Sequence, residues 1–313
     1  MKKFVILILA LLCFSCRREK EDTKHTDTFT TGVIAIAADE SFAPIVQQEL
    51  DVFESMYTGA GVVPKYVSEV EAINLLLRDS VRFAISTRRL TQKEKTYFES
   101  KKFFPKEIKI ATDGIAIIVN KNNTDSLLSV NDLRKILTGK IRSWKSLDKS
   151  SKLDSLLLIF DNQNSSTVRY AIDSICKEDC FTGNLRAQKN NAEVIDFVAN
   201  NPNAIGIIGA SWIGNKSDST QLSFNERVRV LAISRENMAT PENSFKPYQA
   251  YLALGKYPLT RNVYIILNDP RGALASGLTS FMVSDKGQRI ILKTGIVPAT
   301  QTIRIVNIND DSN

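Results

Sequence analysis

Hydrophobic and polar positions along this chain alternate between strand-like and helix-like periods, after one apolar run that fits neither. That run is Phe4 to Leu12 (FVILILALL), preceded by Lys2 and Lys3. It is too short to span a bilayer. A basic start, a short apolar core and a small residue before a cysteine have the proportions of a secretory signal. Ser15 directly precedes Cys16, the pattern of a bacterial lipoprotein signal. Residues 1–15 are therefore expected to be removed and Cys16 to carry lipid. Residues 16–31, ending RREKEDTKHTDTFTT, mix charge with threonine. They bury too little apolar surface to offset chain entropy and are expected to form a disordered tether.

From Gly32 the pattern becomes regular. Gly32 to Ala37 reads as a strand, and Ala43 to Met56 as a helix with Pro44 where proline is tolerated. Val62 to Val67, Val81 to Ile85, Ile108 to Asn120, Leu156 to Phe160, Ala204 to Ile208, Val228 to Ile233 and Val263 to Asn268 read as further strands. Helical spacing covers Val70 to Leu77, Thr91 to Glu99, Val130 to Leu137, Thr167 to Cys176, Val194 to Asn200, Gly272 to Met282 and Gly287 to Lys293.

This alternation predicts an α/β protein with mostly parallel sheets. Such sheets bind ligands beyond the carboxyl ends of their strands, beside helix N-termini. Three loops fit: Asp39 to Phe42 after the first strand, Ser86 to Arg88 after the third, and Asp161 to Thr167 (DNQNSST) after LLLIF. Free N–H groups and hydroxyls at helix starts attract anions. The same residues also serve as plain helix caps, so either role is open at each loop.

Composition narrows the chemistry. The chain has 313 residues, a formal net charge of +7 and a single histidine, His25, which falls in the tether. Beyond the tether there is no imidazole for a Ser-His-Asp triad, for histidine acid–base work or for a typical zinc site. No block of basic residues is interleaved with aromatics, and export argues further against nucleic acid. A positive field also attracts small anions. Cys176 and Cys180 are four apart in an oxidising location, so a local disulfide is a candidate, although the spacing suits a helix end better than a regular helix. No cofactor is implied.

The order of segments then resembles the PstS-like solute-binding family of bacterial phosphate ABC importers. The resemblance runs from about Gly32 to Ile305. It is carried by DGIAIIVN from Asp113 to Asn120 with VNDLRKILTGKIRSW from Val130 to Trp144. NAIGII from Asn203 to Ile208, GKYPLTR from Gly255 to Arg261, and GQRII with GIVP between Gly287 and Pro298 add to it. It implies a two-lobed periplasmic binding protein fold, type II-like. Mixed sheets are flanked by helices, and two crossing strands near Asp113 to Asn120 and Tyr257 to Leu267 form the hinge. Lobe I would comprise residues 32–112 and 268–313, and lobe II residues 113–267.

By the same resemblance, Ser41 and Phe42 match the family's first anion loop, Ser68 the serine of the next, and Ser165, Ser166 and Thr167 its "SGT". Two charged positions depart: Thr87 stands where the family has aspartate, and Asp161 where it has arginine. A phosphate site needs hydroxyl and N–H donors, a cation, and a carboxylate that accepts the ligand proton and repels sulfate. The expectation is therefore that Arg88 supplies the cation and Asp161 the acceptor, with Arg169 and Glu71 in reserve. The plainer reading of Arg88 as a surface residue and Asp161 as a cap stays open. The function implied is a non-catalytic lipoprotein, monomeric and membrane-anchored in the cell envelope, that hands phosphate to an inner-membrane ABC permease. The alternatives are binding or sensing of another oxyanion, or a structural or adhesive surface role.

Overall fold

The computed structural model describes residues 26–179, 181–182, 185–214 and 223–301. The signal segment, Cys16, His25 and Cys180 lie outside these residues. The strands are β1 Gly32–Asp39, β2 Ala60–Val67, β3 Phe83–Ser86, β4 Lys106–Asn120, β5 Leu127–Ser129, β6 Leu157–Phe160, β7 Leu185–Ala187, β8 Ala204–Gly209, β9 Val228–Val230, β10 Ala232–Ser234, β11 Ser244–Phe245, β12 Thr260–Leu267 and β13 Val297–Pro298.

Strand β4 joins two halves. Ten strands are linked in the order β2-β1-β3-β12-β4-β8-β6-β7, with β9 and β13 also pairing with β4. Up to Gly114, β4 pairs with β12; from Ile115 it pairs with β8. The change of partner falls where the chain is most crowded. A Cβ on Gly114 would lie 2.9 Å from Leu252 Cδ2 and 3.4 Å from Ala210 Cβ, so only glycine fits without displacement. The buried Tyr257 hydroxyl donates to the Ile115 carbonyl at 2.6 Å on the same crossing.

Each half-sheet is covered on both faces. In the first, Ile36, Phe53, Val263 and Leu278 meet on one side, under the helices Ala43–Met56, Leu274–Val283 and Asp285–Lys293. Ala37, Ile73, Phe98 and Ile266 meet on the other, under Glu69–Leu77 and Gln92–Ser100. In the second half, Ile117, Leu133, Trp144 and Ile207 pack on one face and Ile118, Ile159, Val194 and Val198 on the other. This is the layered arrangement that apolar runs such as AIIV and LLIF require, because both faces of such strands must be buried.

Pairing is mixed. β1 runs parallel to β2 and β3, and β6 parallel to β7 and β8, whereas β12 and β4 are antiparallel to their neighbours. The mostly parallel expectation fails at these central strands, because they carry the chain between halves rather than belonging to a βαβ unit. Two further differences are local. The helix after LLLIF is α-helical over Ser166–Tyr170 and widens to a π-helix over Ala171–Cys176. Cys176 on that turn is buried, and Cys180, the partner expected for it, lies outside the described residues. The Cys176 side chain faces the second core beside Ile175, and burial pushes the thiol up to about 11. Finally, part of the expected tether is anchored. Asp27 pairs with Arg82 and accepts the Leu274 amide at 3.1 Å, and Arg82 also pairs with Asp269 at 2.9 Å. Apart from Phe29 the tether motif is polar, so an ion pair formed by one of its residues left no hydrophobic signal.

Candidate functional site

The carboxyl ends of β1, β3 and β6 point into the space between the two halves, where polar residues are buried together. From the end of β1 comes Asp39, which caps the short turn Glu40–Phe42, and from that turn comes Ser41. The Ser41 amide donates to Asp39 Oδ1 at 2.9 Å. From the crossing strands come Asp113 and Arg261, register partners on β4 and β12. Their side chains also pair: Nε to Oδ2 is 3.0 Å and Nη2 to Oδ2 is 2.9 Å. From the far half comes Ser166, whose Oγ accepts from Arg261 Nη1 at 2.6 Å. The Arg261 guanidinium lies over the Phe42 ring, 5.0 Å from its centre.

Four polar atoms in this group are buried with no hydrogen-bond partner among the described residues. They are Asp39 Oδ2, Ser41 Oγ, Asp113 Oδ1 and Arg261 Nη2. The last meets Asp113 only as a charge, not with hydrogen-bond alignment. A buried polar atom without a partner costs about 1–3 kcal/mol, so a cluster of them marks a place where something polar is received.

Electrostatics centre on Asp39. Burial pushes its carboxyl up, and the charge of Glu69 adds to this; Arg261 and the Ser166 hydroxyl act the other way. Asp113 is also raised by burial despite Arg261. Burial brings Asp161 to about 6 and Glu40 to about 7.

The residues singled out from the sequence fall into three groups. Ser41, Phe42 and Ser166 belong to the cluster. Asp161, Ser165 and Thr167 border it but are satisfied by one another. Asp161 Oδ1 accepts from both hydroxyls, at 2.5 Å from Ser165, and Oδ2 accepts from Asn191 at 3.2 Å. Asp161 thus organises its own loop, and none of its oxygens is among the partnerless buried atoms. Thr87 and the reserve residue Arg169 meet at a second point with Glu69, where the halves touch. Thr87 N and Oγ1 donate to Glu69 Oε1 at 2.7 Å, and Arg169 Nη2 reaches Thr87 Oγ1 at 2.6 Å.

The remaining residues lie apart. Arg88 is clasped by Glu94 through two bonds of 2.7 and 2.8 Å, so its guanidinium is committed within its own half. Ser68 is a partly exposed cap that accepts the Glu71 amide, and Glu71 itself pairs with Arg78 on the surface. Arg88 and Asp161 are therefore not brought together; the buried charges that meet are Arg261 and Asp113, with Asp39 beside them. Asp39 stood in a loop already noted for anion binding. Asp113 and Arg261 are charges inside or at the edge of apolar strands, and that was the available signal for them.

The matched family model, PBP superfamily domain, covers residues 23–286. The chain belongs to this superfamily. Over 311 residues it is 24% identical to the phosphate-binding protein PstS of Borreliella burgdorferi, covering 95% of this chain and 99% of that one. A PstS of Staphylococcus aureus is 24% identical over 255 residues, 79% of this chain and 72% of its own length. Among solved structures, a phosphate ABC transporter substrate-binding protein from Clostridium perfringens, with phosphate bound, superposes with a TM-score of 0.72 at 20% identity, over 85% of this chain and 99% of that one. An ABC-type phosphate transport receptor from Vibrio cholerae gives 0.63 at 20% identity, over 85% and 100%. At these identities the structural likeness establishes the two-lobed fold.

Proposed function

We propose that the chain is an extracytoplasmic solute-binding protein that captures inorganic phosphate between its lobes and delivers it to an ABC permease. One observation carries the ligand. The unpartnered buried atoms include a donor, Arg261 Nη2, an acceptor, Asp39 Oδ2, and a hydroxyl that serves as either, Ser41 Oγ. A bare cation leaves Arg261 unanswered. An aprotic anion such as sulfate leaves Asp39 facing another negative charge. A protonated oxyanion answers all three: its oxygens accept from Arg261 and Ser41, and its O–H donates to Asp39. The relatives named for phosphate support the same choice.

In this reading Arg261 balances charge, Ser41 and Ser166 hold oxygens, and Asp39 reads the proton. Asp161 keeps the hydroxyls of Ser165 and Thr167 in place from behind. No step alters the solute, so the protein is read as non-catalytic. The lobes swing about β4 and the start of β12, and ligand contacts on both sides favour closure. Lipid attachment at Cys16 belongs to the same proposal. Cys16→Ala should release the protein from membranes or leave it unprocessed, and an unchanged membrane fraction speaks against the anchor.

The test is calorimetric titration of the wild type with phosphate, arsenate and sulfate at pH 8. Phosphate and arsenate, both protonated, should bind, and sulfate should bind far more weakly. Equal binding of sulfate contradicts the role of Asp39. No heat with any of the three at millimolar concentration removes the phosphate reading and favours a different solute.

A further inference from the structure

Glu69 opens the helix Glu69–Leu77 in the first lobe and is 1% exposed. Its Oε1 accepts from three donors of the loop after β3: the Ser86 hydroxyl at 3.0 Å, and the Thr87 amide and hydroxyl at 2.7 Å each. Its Oε2 accepts from Arg169 Nε at 2.5 Å, and Arg169 stands on the second lobe. Arg169 also reaches Thr87 Oγ1. One carboxylate thus fills the donor set of one lobe and receives a guanidinium from the other. That is what a captured oxyanion does in a clamshell. Here the oxyanion is covalently part of the chain.

The contact is separate from the atoms that await a ligand. Neither oxygen of Glu69 is short of a partner, whereas Asp39 Oδ2, Ser41 Oγ and Asp113 Oδ1 are. The two points nonetheless share the cleft, since the charge of Glu69 acts on Asp39. Arg169 draws the Glu69 carboxyl below its ordinary range against the pull of burial, and the pair stays ionised at neutral pH. Other contacts cross the cleft as well: Asn191 Nδ2 to Glu40 Oε2 at 2.6 Å and Trp212 Nε1 to the Ser41 carbonyl at 3.0 Å. Neither of these joins opposite formal charges across the lobes.

We propose that Glu69 is a built-in substitute anion, and that its bond to Arg169 and Thr87 latches the two lobes together whether or not a solute is bound. The latch raises the closed fraction of the empty protein. Because the binding-competent form is then already populated, solute affinity rises by the same factor. Opening must break the ion pair first, so exchange of solute slows. Arg169 is about one-third exposed, which lets water reach the pair as it parts.

The proposal is tested on the ligand-free protein by small-angle scattering, with Glu69→Gln and Arg169→Gln beside the wild type. Both variants should give a larger radius of gyration than wild type, and the double variant should be no larger than either, because each acts through the other. In stopped-flow, phosphate should dissociate faster from both, and affinity should fall by roughly tenfold if the closed fraction falls by that factor. Identical ligand-free radii for wild type and both variants overturn the latch. Should Glu69→Gln fail to fold, Arg169→Gln, altered at a partly exposed site, decides the matter alone. If the wild type binds no phosphate, the ligand-free comparison still decides the latch, and only the proposed function fails.

Discussion

Arg88 and Glu94 face each other fork to fork, with Nη1 and Nη2 each bonded to a different carboxylate oxygen. The partner comes from a capping box: Glu94 also bonds the backbone of Thr91, and Thr91 caps the helix Gln92–Ser100, whose first turn holds Glu94. The arginine at the end of the loop after β3 is therefore a brace for a helix start. Arg88→Ala should leave phosphate affinity within about twofold and lower unfolding stability by about 1 kcal/mol, as a partly exposed bidentate pair allows. Titration calorimetry and urea unfolding read the two quantities. A large loss of affinity would return Arg88 to the ligand.

Arg261 should behave in the opposite way. Arg261→Lys keeps the charge and loses the fork that spans Asp113 and Ser166. Phosphate affinity should fall by about 2–5 kcal/mol in binding energy, much of it from leaving buried Asp113 poorly paired. Circular dichroism should show a folded protein. Unaltered phosphate binding by a folded Arg261→Lys variant would falsify the assignment of the cation.

On the proposed reading, Asp39 would set discrimination between anions and its dependence on pH. The groups facing it are Glu69, Arg261, Asp161, Asp113 and Glu40. Its carboxyl is raised, so it gains a proton on acidification earlier than an ordinary aspartate does. The neutral acid donates to sulfate, where the carboxylate repels it. Sulfate affinity should therefore rise as pH falls through that raised value, by up to about tenfold per unit. Asp39→Asn should bind sulfate at pH 8 and lose this slope, while any contribution from Asp161 and Glu40 remains. Asp161→Asn should leave the phosphate-to-sulfate ratio unchanged. A ratio that shifts with Asp161 and not with Asp39 reverses the two roles.

Much of the scaffold was legible because it is written in apolar periodicity. The helices Ala43–Met56 and Val130–Leu137 begin and end where their patterns do, helped by Pro44 in one and by Gly139 just beyond the other. The site was legible only in part. Ser41 and Ser166 sit in loops after strands, where hydroxyls stand out. Arg261 and Asp113 become partners only through the register of β12 on β4, and register between strands about 150 positions apart follows from tertiary packing. The pairing of Arg88 with Glu94 was not legible, because Glu94 reads equally well as an exposed capping residue.

Glu49 supplies a stability prediction away from the cleft. It lies on the helix Ala43–Met56, fully buried, with neither oxygen bonded among the described residues. Burial moves its carboxyl from 4.5 to about 9. The folded state therefore holds a proton that the unfolded chain releases above about pH 4.5. Stability from this group is intact below that pH and declines as pH rises toward 9. At pH 7 the loss is on the order of 3 kcal/mol. Glu49→Gln should remove this decline, so its advantage over wild type in thermal unfolding should be larger at pH 8 than at pH 4. An equal difference at both values shows that Glu49 is already ionised in the fold.

The position of Arg261 and Asp113 has a consequence for the order of events. Both sit on the strands that carry the chain between the lobes, Asp113 next to the glycine at which β4 changes partner. Residues on a pivot travel least when the jaws part. On the proposed reading, the guanidinium would keep its place when the cleft opens, while Ser166, 2.6 Å from Nη1, would move away with its lobe. An anion entering that open form would meet Arg261 and neighbouring Asp39 before it meets Ser166. Recognition would then begin in the open form, before the Glu69–Arg169 pair re-forms and the lobes shut.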